Sequence, residues 1–548
     1  MMQGGNNGGF CMVSELKKQF AYFIKNQIYI ISLLVVTLFG YSYFLTHTTC
    51  GVDDISINVY FEMGLGVAIG RWPYYVINKL IPIAHYMPFF SEAVMLVLMM
   101  VAAIVLSCII RYVAGDRYSI WCYVMASCLF MTFSITNEVY IYYLQNGIGF
   151  CYVLPMIALF GLIYYAQSGV CYAPCGWRIT TAVFLTIAIS FYETAASIFL
   201  TGAMIFYLME IVYGKRQLFE SWRTFFQYFL WVARYLIYAM ILRRVIRSIL
   251  MRVFHIQPYL FYRSFSITEI IRNIRNGELL IKIWDSYYAA AVGYVSVLIF
   301  VIFSILFACV MLYHVIHTRK WQIAVPAVMT YLSLFALCFL QNGTMQYRAA
   351  QVLNLFVACV GWMLTVELVR ARKSIRVAGW GALLVMIMVS VADLNYWFAL
   401  DYRRTAYEWQ VIDRIAEDLQ SGDYDIQHKP IVVVGDFAWP DEIQQAYGNY
   451  SEINTSLINW SVAGFSEYVG FNYPIRQMFE YQGYTLQWAS PDVQREAIMQ
   501  YYTPELVWMN YGDEPVQRER YIEQYAEEES YPNDGYIVER DTYIVIRL

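Results

Sequence analysis

Charged residues are scarce in this chain of 548 residues, of which they make up only 14%. A soluble globular domain carries about 25% charged residues. Hydrophobic residues reach 59%, and they gather in runs of about 20, the length that crosses the apolar core of a bilayer. The composition excludes an ordinary soluble protein and predicts an α-helical, polytopic membrane protein.

The motifs of several large protein classes are also missing. The chain has no glycine-rich loop followed by Lys-Ser or Lys-Thr, so an ATP-driven pump is not indicated. It has no His-Glu-x-x-His motif, and its six histidines are scattered. All eleven cysteines lie before residue 360, so the remainder of the chain contains no disulfide.

Charge is divided unevenly along the chain. Residues 401–548 hold 26 acidic and 10 basic residues, a net charge of −16. Residues 1–400 hold the other 15 acidic and 27 basic residues, a net charge of +12. An asymmetry of this size indicates two physical environments, a membrane domain and a separate acidic domain.

Apolar runs predict about eleven membrane spans. They lie at residues 28–46, 90–110, 119–136, 147–166, 179–191, 193–213, 224–242, 294–316, 322–340, 350–369 and 377–397. The fifth and sixth form one apolar stretch of about 35 residues with a polar break at Ser190-Phe191-Tyr192-Glu193. A pair of short helices that meet near one face is the expected solution.

Basic residues in the loops set the predicted orientation. Lys17, Lys18 and Lys25 place the N-terminal residues 1–27 in the cytoplasm, and every second loop after them is basic. An odd number of spans within the membrane domain, residues 28–399, then places the acidic tail outside. The predicted location is a cell membrane that the chain crosses several times.

The tail, residues 400–548, is predicted to be a small extracytoplasmic α/β domain. It begins with an amphipathic helix near residues 404–419, followed by a buried strand at 431–434. Further strands are expected at 506–509 and within 536–548, where a hairpin turn separates two β-rich segments.

One basic segment breaks the charge pattern, because residues 243–285 are placed outside. Its cations are Arg243, Arg244, Arg247, Arg252, Arg263, Arg272, Arg275 and Lys282. Either a span is miscounted and the segment lies inside, or a basic surface is kept outside to hold an anionic headgroup.

The pair Asp53-Asp54 is the leading candidate for chemistry. It lies in the first outer loop, residues 47–89, ahead of Gly70-Arg71-Trp72-Pro73. One interpretation is helix capping, since an Asp before a helical run over residues 55–68 accepts free backbone N–H groups. The functional interpretation makes one Asp a general base that deprotonates an acceptor hydroxyl.

Two further carboxylates, Glu138 and Glu193, lie near the same predicted face, and Tyr192 precedes Glu193. A carboxylate at membrane depth usually has a function, and tyrosine rings at this face could stack on sugars. The three residues are candidates for substrate contact. The alternative for Glu193 is neutralisation by a proton or by an arginine of the basic segment.

Arginines on the outer side are candidates for phosphate binding, because a guanidinium binds phosphate in bidentate fashion and stays charged in apolar surroundings. They are Arg71, Arg348 and Arg263. The alternative is that these side chains reach from helix ends to the membrane interface.

Four stretches resemble a known group of enzymes: Val52-Asp53-Asp54-Ile55, Gly70-Arg71-Trp72-Pro73, Ser190–Ala196 and the transition Asp401–Gly435. Together with the layout, they are similar to the GT-C superfamily of membrane glycosyltransferases, and within it to the bacterial glucosyltransferase II family. The resemblance implies a polyprenyl-phosphate-sugar donor, an outward-facing active site and a location in a bacterial inner or plasma membrane. It also implies that Asp53 and Asp54 supply the carboxylate base.

The predicted activity is transfer of a sugar, glucose by the resemblance, from polyprenyl phosphate to a cell-surface glycan or polymer. Arg71, Arg348 and part of residues 243–285 would neutralise the departing phosphate. A divalent ion, Mg²⁺ or Mn²⁺, is compatible with the carboxylates and the phosphate, although nothing in the sequence requires one. The predicted partners are the lipid-linked donor, the polysaccharide acceptor and membrane lipids, and no nucleic acid.

Two other functions fit part of the pattern. A polymerase or ligase of surface polysaccharide shares many spans and outer arginines, but it would use a lipid-pyrophosphate-linked glycan and would not need the Asp pair. A transporter or non-catalytic scaffold would favour charged residues in mid-span, where most of these spans have none.

Overall fold

Helices dominate the chain up to residue 421, and a small sheet follows. The computed structural model describes residues 7–55, 62, 64–80, 89–136, 147–167, 174–214, 221–257, 267–289, 295–340, 347–435, 437, 439–447, 456–458, 473–490, 492–494, 497, 502–507, 516–521 and 529–548. All structural statements below concern these residues.

Each predicted apolar run overlaps at least one helix, and further helices lie outside those runs, within residues 7–25, 52–55, 65–80 and 267–284. In chain order the helices are α1 Asn7–Lys25, α2 Gln27–Thr46, α3 Val52–Ile55, α4 Leu65–Ala68, α5 Trp72–Leu80, α6 Phe90–Ala114, α7 Ile120–Thr132, α8 Ile148–Gln167, α9 Cys175–Phe191, α10 Thr194–Tyr213, α11 Trp222–Val253, α12 Ile267–Arg275, α13 Glu278–Trp284, α14 Val295–Thr318, α15 Ala324–Ser333, α16 Ala336–Leu340, α17 Val352–Arg370 and α18 Lys373–Ser421. Two short helices of the tail, α19 Asp441–Tyr447 and α20 Tyr473–Tyr481, complete the described set.

Eight of the described helices are long and apolar enough to cross a membrane, which confirms a polytopic helical membrane protein. They are α2, α6, α8, α10, α11, α14, α17 and α18. The predicted spans at 119–136 and 179–191 coincide with the shorter apolar helices α7 and α9. The predicted break between the fifth and sixth spans is confirmed, since α9 ends at Phe191 and α10 begins at Thr194.

The predicted span at 322–340 is not one helix, because it is divided into α15 and α16. The backbone changes at this point to hydrogen bonds three residues apart, from the Leu334 N–H to the Tyr331 carbonyl and from the Phe335 N–H to the Leu332 carbonyl. The buried Tyr287 hydroxyl donates to the Leu334 carbonyl at 2.6 Å. A side chain from a distant part of the sequence thus binds a carbonyl at the interruption. No local sequence pattern indicates this contact.

Tyrosine is a core residue of this bundle. Among the described residues, eight of the nine largest fully buried side chains are tyrosines, and the ninth is Trp362. The tyrosines are Tyr29, Tyr41, Tyr123, Tyr152, Tyr207, Tyr213, Tyr287 and Tyr347. A buried hydroxyl needs a partner, and that of Tyr29 bonds to Ser107 and Ser127 at 3.0 and 2.7 Å. Such bonds between helices add polar contacts to an otherwise apolar core.

The longest helix is α18, whose 49 residues extend about 73 Å. It includes both the predicted last span at 377–397 and the predicted amphipathic helix near residues 404–419, which the structure joins in one continuous helix. The sequence has no glycine or proline between Gly381 and Gly422, and the helix ends at Ser421. The proposed domain division at residue 400 falls inside this helix and stays a prediction.

The tail contains the predicted sheet. Its strands are β1 Ile431–Val434, β2 Tyr502–Val507, β3 Val516–Tyr521, β4 Ile537–Glu539 and β5 Ile544–Arg547. Strand β1 pairs with β5 in parallel and β5 pairs with β4 in an antiparallel hairpin, which gives the order β1-β5-β4. The predicted strand at 431–434 and the C-terminal hairpin are confirmed. The strand expected at 506–509 lies earlier, in β2, which pairs with β3.

We expect Gly435→Ala to weaken this sheet. Gly435 has a φ of +102°, and a Cβ there would lie 2.4 Å from the Leu548 carbonyl oxygen. The left-handed conformation and the overlap together should cost about 3 kcal/mol. Hydrogen–deuterium exchange of the β1 and β5 amides in the full-length protein measures the effect.

Gly483→Ala is the matched control for that substitution. Gly483 also has a positive φ, +88°, but nothing lies within 4 Å of its added Cβ. Only the conformational cost, about 1 kcal/mol, should remain. Equal effects of the two substitutions would contradict the importance of the Leu548 contact.

Candidate functional site

A sharp turn between α4 and α5 brings Arg71 to the site. The turn follows α4, and Gly70 adopts a φ of +87°. The Arg71 N–H donates to the Gly66 carbonyl at 2.6 Å, which closes the turn. A Cβ on residue 70 would lie 2.8 Å from Nη2 of Arg243, so glycine permits both the conformation and the approach of that arginine.

Two arginines from distant parts of the chain meet on one carboxylate. Nη2 of Arg243 lies 2.5 Å from Oε1 of Glu193, and Nη2 of Arg71 lies 3.6 Å from Oε2 of the same residue. Nε of Arg243 also donates to the Gly70 carbonyl at 3.2 Å. We call Gly70, Arg71, Tyr192, Glu193 and Arg243 the Glu193 cluster.

The break between α9 and α10 positions Glu193. Tyr192 has an extended backbone, and Glu193 precedes the first residue of α10. The Tyr192 ring lies under Arg71, whose Cζ is 4.9 Å from the ring centre, a cation–π geometry. The Thr194 hydroxyl donates to the Ala349 carbonyl at 2.8 Å, which ties the break to the turn Tyr347–Ala349 that carries Arg348.

Glu193 is charged in this setting. Burial raises the pKa of its carboxyl group, but Arg243 and Arg71 outweigh burial and hold the pKa below its usual range. Its ion pair with Arg243 corresponds to the alternative given for Glu193 from the sequence, neutralisation by an arginine of the basic segment. Two guanidinium groups and one carboxylate give these three side chains a net charge of +1, which suits an anion.

The Asp pair lies in α3, at the other end of the described first loop. Asp54 is fully buried, and its Oδ2 accepts the Gly51 N–H at 2.8 Å. The expected cap before a helix over residues 55–68 is wrong in its placement, because α3 begins at Val52 and Asp54 is its third residue. Asp53 is the second residue of α3, and its side chain lies outside the described part.

Asp54 belongs to a buried polar group that includes residues of α18. Nη2 of Arg404 donates to the Cys50 carbonyl at 2.7 Å and lies 2.8 Å from Oδ1 of Asp401. Sequence analysis assigned no functional role to Arg404 or Asp401, although Asp401 begins the resembling stretch Asp401–Gly435 and residue 404 begins the predicted amphipathic helix. The signal was present, since both occupy positions of α18 at which a buried helix face would hold apolar residues.

Arg243 was named only as one of many cations in the basic segment. Its contact with Gly70, and the ring contact of Phe254 with Tyr75 at 5.1 Å, place the end of α11 on the same side as the first loop. This argues against a miscounted membrane span that would put the basic segment and the first loop on opposite sides of the membrane. Which side of the membrane they face stays a prediction.

The remaining candidates divide into two groups. Arg348 lies in the turn beside the Glu193 cluster, and its side chain is partly buried. Glu138 and Arg263 lie outside the described residues. Within the described part, no three His, Cys, Asp or Glu side chains gather at a place that would hold a metal ion.

We expect Arg243→Met to destabilise the protein by about 2 kcal/mol, because it removes charged hydrogen bonds to Glu193 and Gly70. Arg244→Met is the matched control, since Arg244 is the exposed neighbour on the same helix. Thermal unfolding of the purified protein in detergent measures both. An equal loss in the two variants would contradict a specific role of Arg243.

The same pair predicts a pH dependence. The pKa of Glu193 is lowered in the folded protein, so the ion pairs stabilise fully above the unfolded value near 4.5 and are lost as the pH falls through the folded value. The difference in stability between the wild type and Arg243→Met should therefore shrink on acidification below pH 4.5. A difference that stays constant down to acid unfolding would contradict the pairing.

Comparison with known families supplies one match. The model of the family described as Glucosyl transferase GtrII matches residues 42–365, which is 324 of the 548 residues. The matched range contains α3, the Glu193 cluster and Arg348, and it ends before α18. No curated protein matches the chain in sequence.

Proposed function

We propose a donor, an acceptor and residue roles on the premise that this chain belongs to the GtrII family of glucosyl transferases. Membership supports glycosyl transfer by a multi-pass membrane protein. The proposal is that the chain moves glucose from polyprenyl phosphate to a cell-surface glycan at the outer face of a bacterial membrane.

The convergence of Arg71 and Arg243 on Glu193 is the observation that carries the proposal. When the sugar leaves its donor, the polyprenyl phosphate gains negative charge, and fixed guanidinium groups stabilise that charge. Glu193 keeps the two arginines in place, and the net charge of +1 leaves the cluster attractive to a phosphate. Arg348, on the adjoining turn, is a third cation for the same group.

The helices α12 and α13 support a lipid-borne substrate. Five of their described apolar side chains are each more than half exposed, those of Ile271, Ile274, Leu280, Ile281 and Trp284. Arg272, Arg275 and Lys282 lie on the same short helices. Apolar and basic residues mixed in this way are typical of helices that lie at a membrane surface beside lipid phosphates.

Asp53 is the proposed general base. Asp54 is buried and bonded to the Gly51 N–H, so its carboxylate serves the local fold of α3. The acceptor hydroxyl oxygen attacks C1 of the donor sugar while its proton passes to Asp53. The bond from C1 to the phosphate oxygen breaks, and its electron pair leaves with polyprenyl phosphate. Direct displacement inverts the anomeric centre.

A reconstituted assay tests the donor. The full-length protein in lipid vesicles is given radiolabelled glucose as polyprenyl-phosphate-glucose or as a nucleotide sugar, with surface glycan from cells that lack the gene as acceptor. We expect label in the glycan from the lipid donor alone. Transfer from the nucleotide sugar would contradict the lipid donor, and elongation from a lipid-pyrophosphate glycan would favour the polymerase or ligase.

Separate substitutions distinguish the two aspartates. Asp53→Asn should lower kcat at least about 100-fold, because the general base is lost, with an unchanged melting temperature. Asp54→Asn should lower the melting temperature and reduce kcat less, since the amide oxygen still accepts the Gly51 N–H. The opposite ranking would assign the base to Asp54, and full activity in both variants would reject the proposed chemistry.

A further inference from the structure

We propose that Arg404 is a positioning residue for the transfer reaction, which holds the Cys50 peptide so that α3 presents Asp53 to the acceptor. The inference rests on the proposed role of Asp53. It concerns a residue beyond the range that the family model matches.

Side chains of α18 bind both backbone polar groups of Cys50, its N–H and its carbonyl. Nη2 of Arg404 donates to the Cys50 carbonyl at 2.7 Å, and the Cys50 N–H donates to Oγ1 of Thr405 at 3.5 Å. Arg404 is 2% exposed and its ion-pair partner Asp401 is fully buried. In such surroundings these bonds are little screened by water.

The held peptide is directly connected to α3. Gly51 follows Cys50, its N–H donates to Asp54, and its carbonyl accepts the Asp54 N–H at 3.0 Å. A helix of four residues has little stability of its own, so its orientation depends on what anchors it. Asp53 is only three residues after Cys50. A shift of the backbone at Cys50 would therefore also move Asp53.

The helix α18 is also hydrogen-bonded to the tail. Glu408 is fully buried, and its carboxylate accepts Nε1–H of Trp439 at 2.7 Å and the Leu457 N–H at 3.1 Å. One turn of α18 separates Arg404 from Glu408. The helix thus joins the tail to the loop that carries the Asp pair, which makes the tail part of the support of the active site.

A merely structural role is the competing explanation, in which Arg404 only neutralises the buried Asp401. Arg404→Met removes the donor to Cys50 but also leaves Asp401 unpaired, which can unfold a protein. The double substitution Asp401→Asn with Arg404→Met removes both charges and still leaves the Cys50 carbonyl without its donor. Arg403→Met is the matched control, since Arg403 is the exposed neighbour on α18.

The experiment compares these variants as full-length protein in vesicles, with polyprenyl-phosphate-glucose as donor. We expect the double variant to keep its melting temperature and donor KM and to lose about 100-fold in kcat, because a misplaced base costs rate rather than donor affinity. Arg403→Met should match the wild type.

A second measurement needs no activity. Cys50 is 2% exposed, and burial raises the pKa of its thiol, so alkylation should be slow in the wild type. Membranes are treated with iodoacetamide, and mass spectrometry follows the proteolytic fragment that contains Cys50. Labelling of Cys50 should be about tenfold faster in the double variant. This result does not depend on the donor or the base.

The outcomes separate the two proposals. Wild-type kcat in the double variant, or unchanged labelling of Cys50, would overturn the positioning role of Arg404. Equal effects of Arg403→Met would do the same. Full activity of Asp53→Asn together with faster labelling of Cys50 would instead reject the proposed base and leave the anchoring of the Cys50 peptide by Arg404 intact.

Discussion

The bridge of Glu193 between Arg71 and Arg243 is the interaction on which the arrangement of this face depends. It joins the first loop, the break between α9 and α10, and the end of α11, three segments that are far apart in sequence. Each partner needs a specific backbone feature: a left-handed glycine at Gly70, an interrupted helix pair at Glu193, and a long helix that carries Arg243 to the loop. A change in any of these features would separate the charges of Arg71, Glu193 and Arg243.

Apolar surroundings explain why the charges of the Glu193 cluster are paired with one another. In apolar surroundings a single arginine or glutamate is costly, but a charge that is paired and hydrogen-bonded is tolerated. The cluster therefore holds two cations in a fixed geometry before any substrate binds. Preorganised charges of this kind need no rearrangement when negative charge develops on a leaving phosphate. The family membership and the geometry are thus physically compatible with each other.

Sequence reasoning predicted the features that depend on local composition. Apolar run length located the long apolar helices, and the polar break at Ser190–Glu193 located the meeting point of α9 and α10. Alternation and turn residues located β1 and the C-terminal hairpin. The interruption between α15 and α16 was not predictable, because the hydroxyl of Tyr287 that bonds there comes from a remote segment. Arg243 was indistinguishable in sequence from its neighbours Arg244 and Arg247, since only packing against Gly70 selects it.

The helix α18 shows how a prediction from hydropathy can separate what the structure joins. Hydropathy falls near residue 400, which suggests a span followed by an independent helix. The backbone, however, has no reason to stop where polarity changes, because helix continuity depends on propensity and on the absence of glycine and proline. A continuous rod has a mechanical consequence that two helices with a loop between them would not have. It fixes the distance and the angle between the bundle and the tail, and it carries Asp401, Arg404 and Glu408 on one buried face. A four-residue helix such as α3, which cannot orient itself, can therefore be oriented by a helix twelve times its length.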